Sequence, residues 1–156
     1  MTEIASCGSF TKTDAKNKLG SVGIPLSKNI VKVLPRLNDP EKRYDIDSEE
    51  LHYGEKGTAF IYSKSRTAGY YNNQEATDKI MYTDKDGRVW INTGDIFMID
   101  ADGYMFFEGR EKRVVVRPDG HNIPSSQIES IAASFEEVEL PVVVGSPSRL
   151  YAHGSV

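Results

Sequence analysis

The stretch from Val89 to Arg110 leaves this chain few ways to fold. Three apolar runs, at 89–91, 96–99 and 104–107, are punctuated by Thr93-Gly94-Asp95 and Ala101-Asp102-Gly103. Short runs rich in aromatic and β-branched residues, with glycine turn signals between them, predict an antiparallel meander. A carboxylate shown at a glycine turn has enough lone pairs to accept two hydrogen bonds from a vicinal diol. Arg110, directly after Gly109, brings the planar fork that complements a phosphate. Asp95 and Arg110 are therefore candidate ligand contacts, although turn aspartates and solvated arginines are also ordinary surface features.

The flanking sequence extends this strand-rich pattern. Residues 29–34 alternate apolar and polar and read as a strand, as do 57–63 after the turn Gly54-Glu55-Lys56-Gly57. Residues 74–81 predict a short helix with Asn73 as its N-cap. Asp84-Lys85-Asp86-Gly87 predicts a hairpin turn into the central meander. The polar segment 36–53 reads as an exposed connection whose charges face solvent. After Arg110 the character changes. Val114, Val115 and Val116 predict a strand, Arg117-Pro118-Asp119-Gly120 a turn, and Ser126-Gln127-Ile128-Glu129 a capping box. Ile128, Ile131, Ala132 and Phe135 fall on one helical stripe, and 140–144 reads as a further strand. The expected fold is mainly β with α+β: a small distorted β-barrel, then the start of a β-turn-α-β domain, with the boundary between Gly109 and Lys112.

Bulk properties narrow the function. A net charge of −4 gives no electrostatic reason to expect nucleic acid or an anionic membrane surface as a partner. Cys7 is the single cysteine, which rules out an internal disulfide and suits a reducing, cytoplasmic setting. No apolar run approaches membrane-spanning length. His52, His121 and His153 are isolated and make no zinc spacing with one cysteine. Asp100 and Asp102 beside Gly103 lack the spaced ligand set of a calcium loop.

Taken in order, Thr2-Glu3, Gly54-Glu55-Lys56-Gly57, Gly69-Tyr70-Tyr71-Asn72-Asn73, Thr93-Gly94-Asp95, Asp102-Gly103-Tyr104 and Gly109-Arg110 through Ile128-Glu129 resemble the acyl-adenylate-forming enzymes. That superfamily holds acyl-CoA synthetases, the amino-acid-activating domains of peptide synthetases, and luciferases. The resemblance covers nearly the whole chain, and its strength lies in the order of six individually weak motifs. It implies that a carboxylic acid attacks the α-phosphate of ATP, releasing pyrophosphate. A thiol, of CoA or of a carrier's phosphopantetheine arm, then captures the acyl-adenylate. Positioning and charge neutralisation supply most of such catalysis. On this resemblance Thr2 contacts a nucleotide phosphate, and Glu3 serves catalysis by binding the magnesium ion. Asp95 holds the ribose hydroxyls, and Arg110 contacts ribose or phosphate. Lys112 is the hinge about which a small domain turns, and Gly120 lies against the thiol's access tunnel. The interval from Arg110 to Gly120 is one residue longer than in the family, which leaves the last contact open.

The same resemblance sets the expected limits. Residues 1–109 correspond to the C-terminal part of a large AMP-binding domain, and 110–156 to a truncated lid domain. No Gly/Ser/Thr-rich phosphate loop ending in lysine occurs, and no lysine follows Lys112. Met1 stands inside the Thr-Glu motif where the family has further residues upstream. The chain is therefore expected to be a fragment of an ATP-dependent ligase and inactive alone. Its partners would be a small carboxylic or amino acid and either CoA or a carrier protein. The acid itself is not disclosed. Two other readings compete: a non-catalytic module binding a nucleotide or partner, and a fragment whose unpaired strands dimerise.

Overall fold

The computed structural model describes residues 1–5, 8–11, 17–37, 39, 42–111, 114–116 and 122–144. The chain divides into two compact units, Met1–Glu108 and Gly109–Val156. In the first, a 3-10 turn at Thr2–Ile4 precedes two short strands, β1 (Ser9–Phe10) and β2 (Ile24–Pro25), which pair with each other. Then follow β3 (Asn29–Leu34), β4 (Lys56–Ser63), α1 (Gln74–Ile80), β5 (Met81–Thr83), β6 (Val89–Ile99) and β7 (Met105–Arg110). Strands β3 to β7 form one five-stranded sheet in the order β3-β4-β6-β5, with β7 also on β6. The mainly-β expectation holds. The sheet is open, and no closed barrel forms among the described residues.

The two faces of this sheet follow from strand parity. Phe60 and Tyr62 of β4, Trp90 of β6, Tyr82 of β5 and Leu34 of β3 share one face with Ile46 and Tyr44. Phe60 is fully buried, with Tyr44 and Tyr82 edge-on at 5.0 and 5.2 Å between ring centroids. Such pairs add about 0.5–1.5 kcal/mol beyond the area they bury. The opposite face is aliphatic: Ile61 and Ile91 meet Ile4 from the N-terminal turn, with Val31, Ile80 and Met81 around them.

The local signals account for the connections. Asn73 caps α1, its Oδ1 accepting from the Ala76 amide at 3.0 Å. The 84–87 turn closes through Gly87 N–H to Asp84 O at 3.0 Å, with Gly87 at φ +78°. Segment 36–53 is largely exposed among the described residues, as its composition predicts, and it also covers the aromatic face. Ile46 is buried, Lys32 Nζ donates to Ile46 O, and the Arg43 guanidinium lies 4.4 Å from the Tyr82 ring centroid while donating to Asp78 O and Met81 O. Long basic side chains cover the aromatic face with their stems and keep their charged ends on carbonyls.

The second unit, by itself, holds the antiparallel pair β8 (Val114–Val116) and β9 (Asn122–Pro124), then α2 (Ser125–Ala132). Helix α2 starts at Ser125, before the predicted cap Ser126, and Glu129 Oε1 accepts the Val143 amide at 3.1 Å. Residues 140–144 form no strand among the described residues. The turn expected at 117–120 lies outside the described residues. Among the described residues, no helix is long and apolar enough to cross a membrane.

Candidate functional site

The Thr93-Gly94-Asp95 segment is not the turn its composition suggests. Strand β6 runs unbroken from Val89 to Ile99 and pairs with β4 on both sides of it. The register runs Phe60↔Asn92 and then Thr58↔Ile96, so three β6 residues stand opposite Ala59 alone. This is a β-bulge, a device that re-aims side chains next to functional sites. Thr93 fixes it: its hydroxyl donates to Ala59 O at 2.9 Å and accepts the Asp95 amide at 3.0 Å. Gly94 takes the left-handed conformation, φ +66°, and its amide donates to Asn92 Oδ1 at 2.8 Å. Asp95 is half-buried, and the space beside Gly94 is open: a Cβ there would meet no atom within 4 Å. The meander's other predicted turn is genuine. Gly103 N–H donates to Asp100 O at 2.9 Å, and Lys18 Nζ bridges Asp100 and Asp102 at 2.5 and 2.6 Å. That lysine, with the Tyr104 and Asp102 amides, holds the Asp100 carboxyl below its ordinary pKa.

Thr2 and Glu3 share the N-terminal turn. Ile4 anchors it, wholly buried against Ile61 and Ile91 of β4 and β6, the strands that also carry the bulge. Glu3 O accepts the Thr67 amide at 2.7 Å, and Ile4 O accepts from Ser65 Oγ at 2.7 Å. The Glu3 side chain meets a group that the sequence did not pair with it: the Tyr70 hydroxyl donates to Glu3 Oε1 at 2.9 Å. That bond, with burial adding to it, raises the phenol's pKa. No sequence signal links residues so far apart. Both tyrosines of the Gly69-Tyr70-Tyr71 motif are exposed, Tyr71 almost fully.

Arg110 ends β7 with an exposed side chain and belongs to the second unit. Lys112 and Gly120 lie outside the described residues. Among the described residues no three His, Cys, Asp or Glu side chains gather as a metal centre. Glu3 thus offers a single carboxylate, which is the usual protein share of a magnesium ion that arrives on nucleotide phosphates.

No protein-family model matches the chain. It is 32% identical over 147 residues to the acyl-CoA ligase sidI of Aspergillus fumigatus, covering 94% of this chain and 23% of that protein. A long-chain-fatty-acid–CoA ligase of Salmonella typhimurium is 30% identical over 148 residues, covering 95% and 24%. Among solved structures, the ATP-bound RpMatB-BxBclM chimera B3 superposes with a TM-score of 0.69 at 27% identity, over 87% of this chain and 24% of that one. The chain belongs to the acyl-adenylate-forming superfamily. It spans about a quarter of the length of the superfamily members it matches.

Proposed function

We propose that this chain is the part of an ATP-dependent acid–thiol ligase that holds the nucleotide's ribose and its magnesium-bearing phosphates. Asp95 accepts hydrogen bonds from the ribose hydroxyls, Thr2 contacts a phosphate, and Glu3 ligates the magnesium ion. Arg110, Lys112 and Gly120 keep the nucleotide, hinge and thiol-tunnel roles that the resemblance implies. In the whole protein the reaction would join a small carboxylic or amino acid to CoA or to a carrier's phosphopantetheine, in the cytoplasm. One observation carries this reading: the bulge that pins Asp95 through Thr93 to the Ala59 carbonyl, beside open space at Gly94. A carboxylate whose backbone is fixed in advance gives up less freedom on binding a diol than one on a free loop.

The chain alone has no lysine-ended phosphate loop and no lysine after Lys112, and we expect it to form no acyl-CoA. Binding is therefore the proper test. Calorimetric titration with AMP should show heat for the native chain, with affinity falling at least about tenfold in Asp95→Ala, since losing a hydrogen bond to a charged group costs about 1.5–3 kcal/mol. AMP affinity unchanged by that substitution would remove the ribose assignment.

A further inference from the structure

We propose that Tyr70 is a positioning residue for Glu3: its phenol fixes one carboxylate oxygen and leaves the other to ligate the magnesium ion carried by ATP. The inference rests on the reading of Glu3 as the magnesium ligand and adds the residue that sets its geometry.

The backbone of the Glu3 turn is already held on both sides, by Thr67 on the Glu3 carbonyl and by Ser65 on the Ile4 carbonyl. What remains free is the glutamate side chain, with its several rotatable bonds. Ordering such a chain costs rotamer entropy. The Tyr70 hydroxyl, at 2.9 Å from Glu3 Oε1, does that ordering before any ligand arrives. A carboxylate that accepts one hydrogen bond from a phenol keeps its charge and its second oxygen, as metal-ligating carboxylates with outer partners do.

Tyr70 is itself well placed for the task. Its amide donates to Thr77 Oγ1 at 2.9 Å, and that hydroxyl in turn donates to Asn73 O at 2.9 Å. Thr77 is buried on α1, whose Ile80 packs against the aliphatic face of the sheet. Gly69, at φ +145°, lets the loop lie directly on Thr77. A Cβ at that position would stand 2.9 Å from the Thr77 methyl. Two routes thus converge on Glu3 from one face of the sheet. Ile4 brings its backbone, and α1, through Thr77 and Tyr70, brings the partner of its carboxylate.

The test compares the affinities for magnesium-ATP and for metal-free AMP by calorimetry in the native chain, Tyr70→Phe and Glu3→Gln. Tyr70→Phe keeps the ring and its packing, and a loss of fold would show as a lowered melting temperature. We expect Glu3→Gln to abolish the magnesium-dependent gain in ATP affinity. Tyr70→Phe should weaken that gain by about tenfold, the lower end for outer-shell partners of metal ligands, and leave AMP affinity unchanged. A gain lost in Glu3→Gln but intact in Tyr70→Phe overturns the positioning role alone. A gain that Glu3→Gln leaves intact overturns the magnesium assignment and the positioning role with it. Equal losses for ATP and AMP in Tyr70→Phe would mark a general structural effect and also overturn it.

Discussion

The aromatic and aliphatic faces of the central sheet are built from alternate residues of the same strands, yet they are closed in different ways. Phe60, Trp90 and Tyr82 are covered by segment 36–53, through Tyr44, Ile46 and the Arg43 guanidinium. Ile61 and Ile91 are covered by Ile4 and Ile80, and Ile4 brings Glu3 and Thr2 with it. One face is sealed by long side chains that bond only the protein. The other is sealed by a turn whose outward side carries candidate nucleotide contacts. Stability and binding should therefore separate by face, and substitutions can test that separation.

The largest effect is expected at Phe60. It is fully buried among rings, and Phe60→Ala should cost about 3–5 kcal/mol in urea unfolding. Ile4→Ala should cost about 2–5 kcal/mol by the same measurement. The comparison sharpens when each variant's magnesium-ATP affinity is measured at a temperature where it is folded. Ile4→Ala should weaken that affinity, because the turn holding Glu3 loses its anchor, while Phe60→Leu should not. Equal binding losses from both faces would break the distinction.

A smaller effect is expected at the bulge, which joins the faces. Gly94 sits at φ +66° with open space around it, so alanine there meets only conformational strain. The left-handed region costs an L-residue roughly 1–2 kcal/mol. Gly94→Ala should lower stability by about that amount, read from the urea midpoint. It should also weaken AMP binding by a larger factor than its stability cost implies, because Asp95 hangs from the same strained link. A stability loss with AMP affinity intact would separate the bulge from the ligand.

Much of this architecture could be read from local signals, because they act locally. Asn73 caps α1, Gly87 closes its hairpin, and residues 29–34 form strand β3. What escaped depends on partners distant in sequence. Thr93-Gly94-Asp95 has the composition of a turn. It is a bulge because β4 continues past Thr58 to pair Gly57 with Phe97 and Lys56 with Met98. Arg43 is exposed as its segment suggests, but its contact with the Tyr82 ring has no local signal. The Val143 amide that meets the Glu129 carboxylate stands 14 residues away in sequence and leaves no local signal. The resemblance to known enzymes singles out Asp95 and Glu3 as candidates and includes Tyr70 in a motif, but it does not pair Tyr70 with Glu3. A phenol that meets a carboxylate only after both segments pack on one sheet leaves no periodicity to find.

The smallest effect concerns acid. Asp84 stands at the edge of the aromatic face, where Oδ2 accepts from Trp90 Nε1 at 2.9 Å and Oδ1 accepts the Asp86 and Arg88 amides. The indole bond, followed by those amides, holds the carboxyl below its ordinary pKa. A carboxyl whose folded pKa is depressed favours the folded state above its unfolded pKa, and that contribution is lost as pH falls through the folded value. The melting temperature should therefore decline as pH drops below the ordinary aspartate range. Asp84→Asn keeps one acceptor oxygen and removes the titration, so its decline should be shallower. Asp100, depressed mainly by Lys18, contributes an acid limb of its own that salt should weaken, since both Lys18 and Asp102 are solvent-accessible. The indole–carboxylate bond of Asp84 involves no cation and should be far less sensitive to salt. Melting curves across pH at low and high salt therefore assign each part of the acid limb. If Asp84→Asn titrates like the native chain at both salt concentrations, the Trp90 contact adds no pH-dependent stability to the aromatic face.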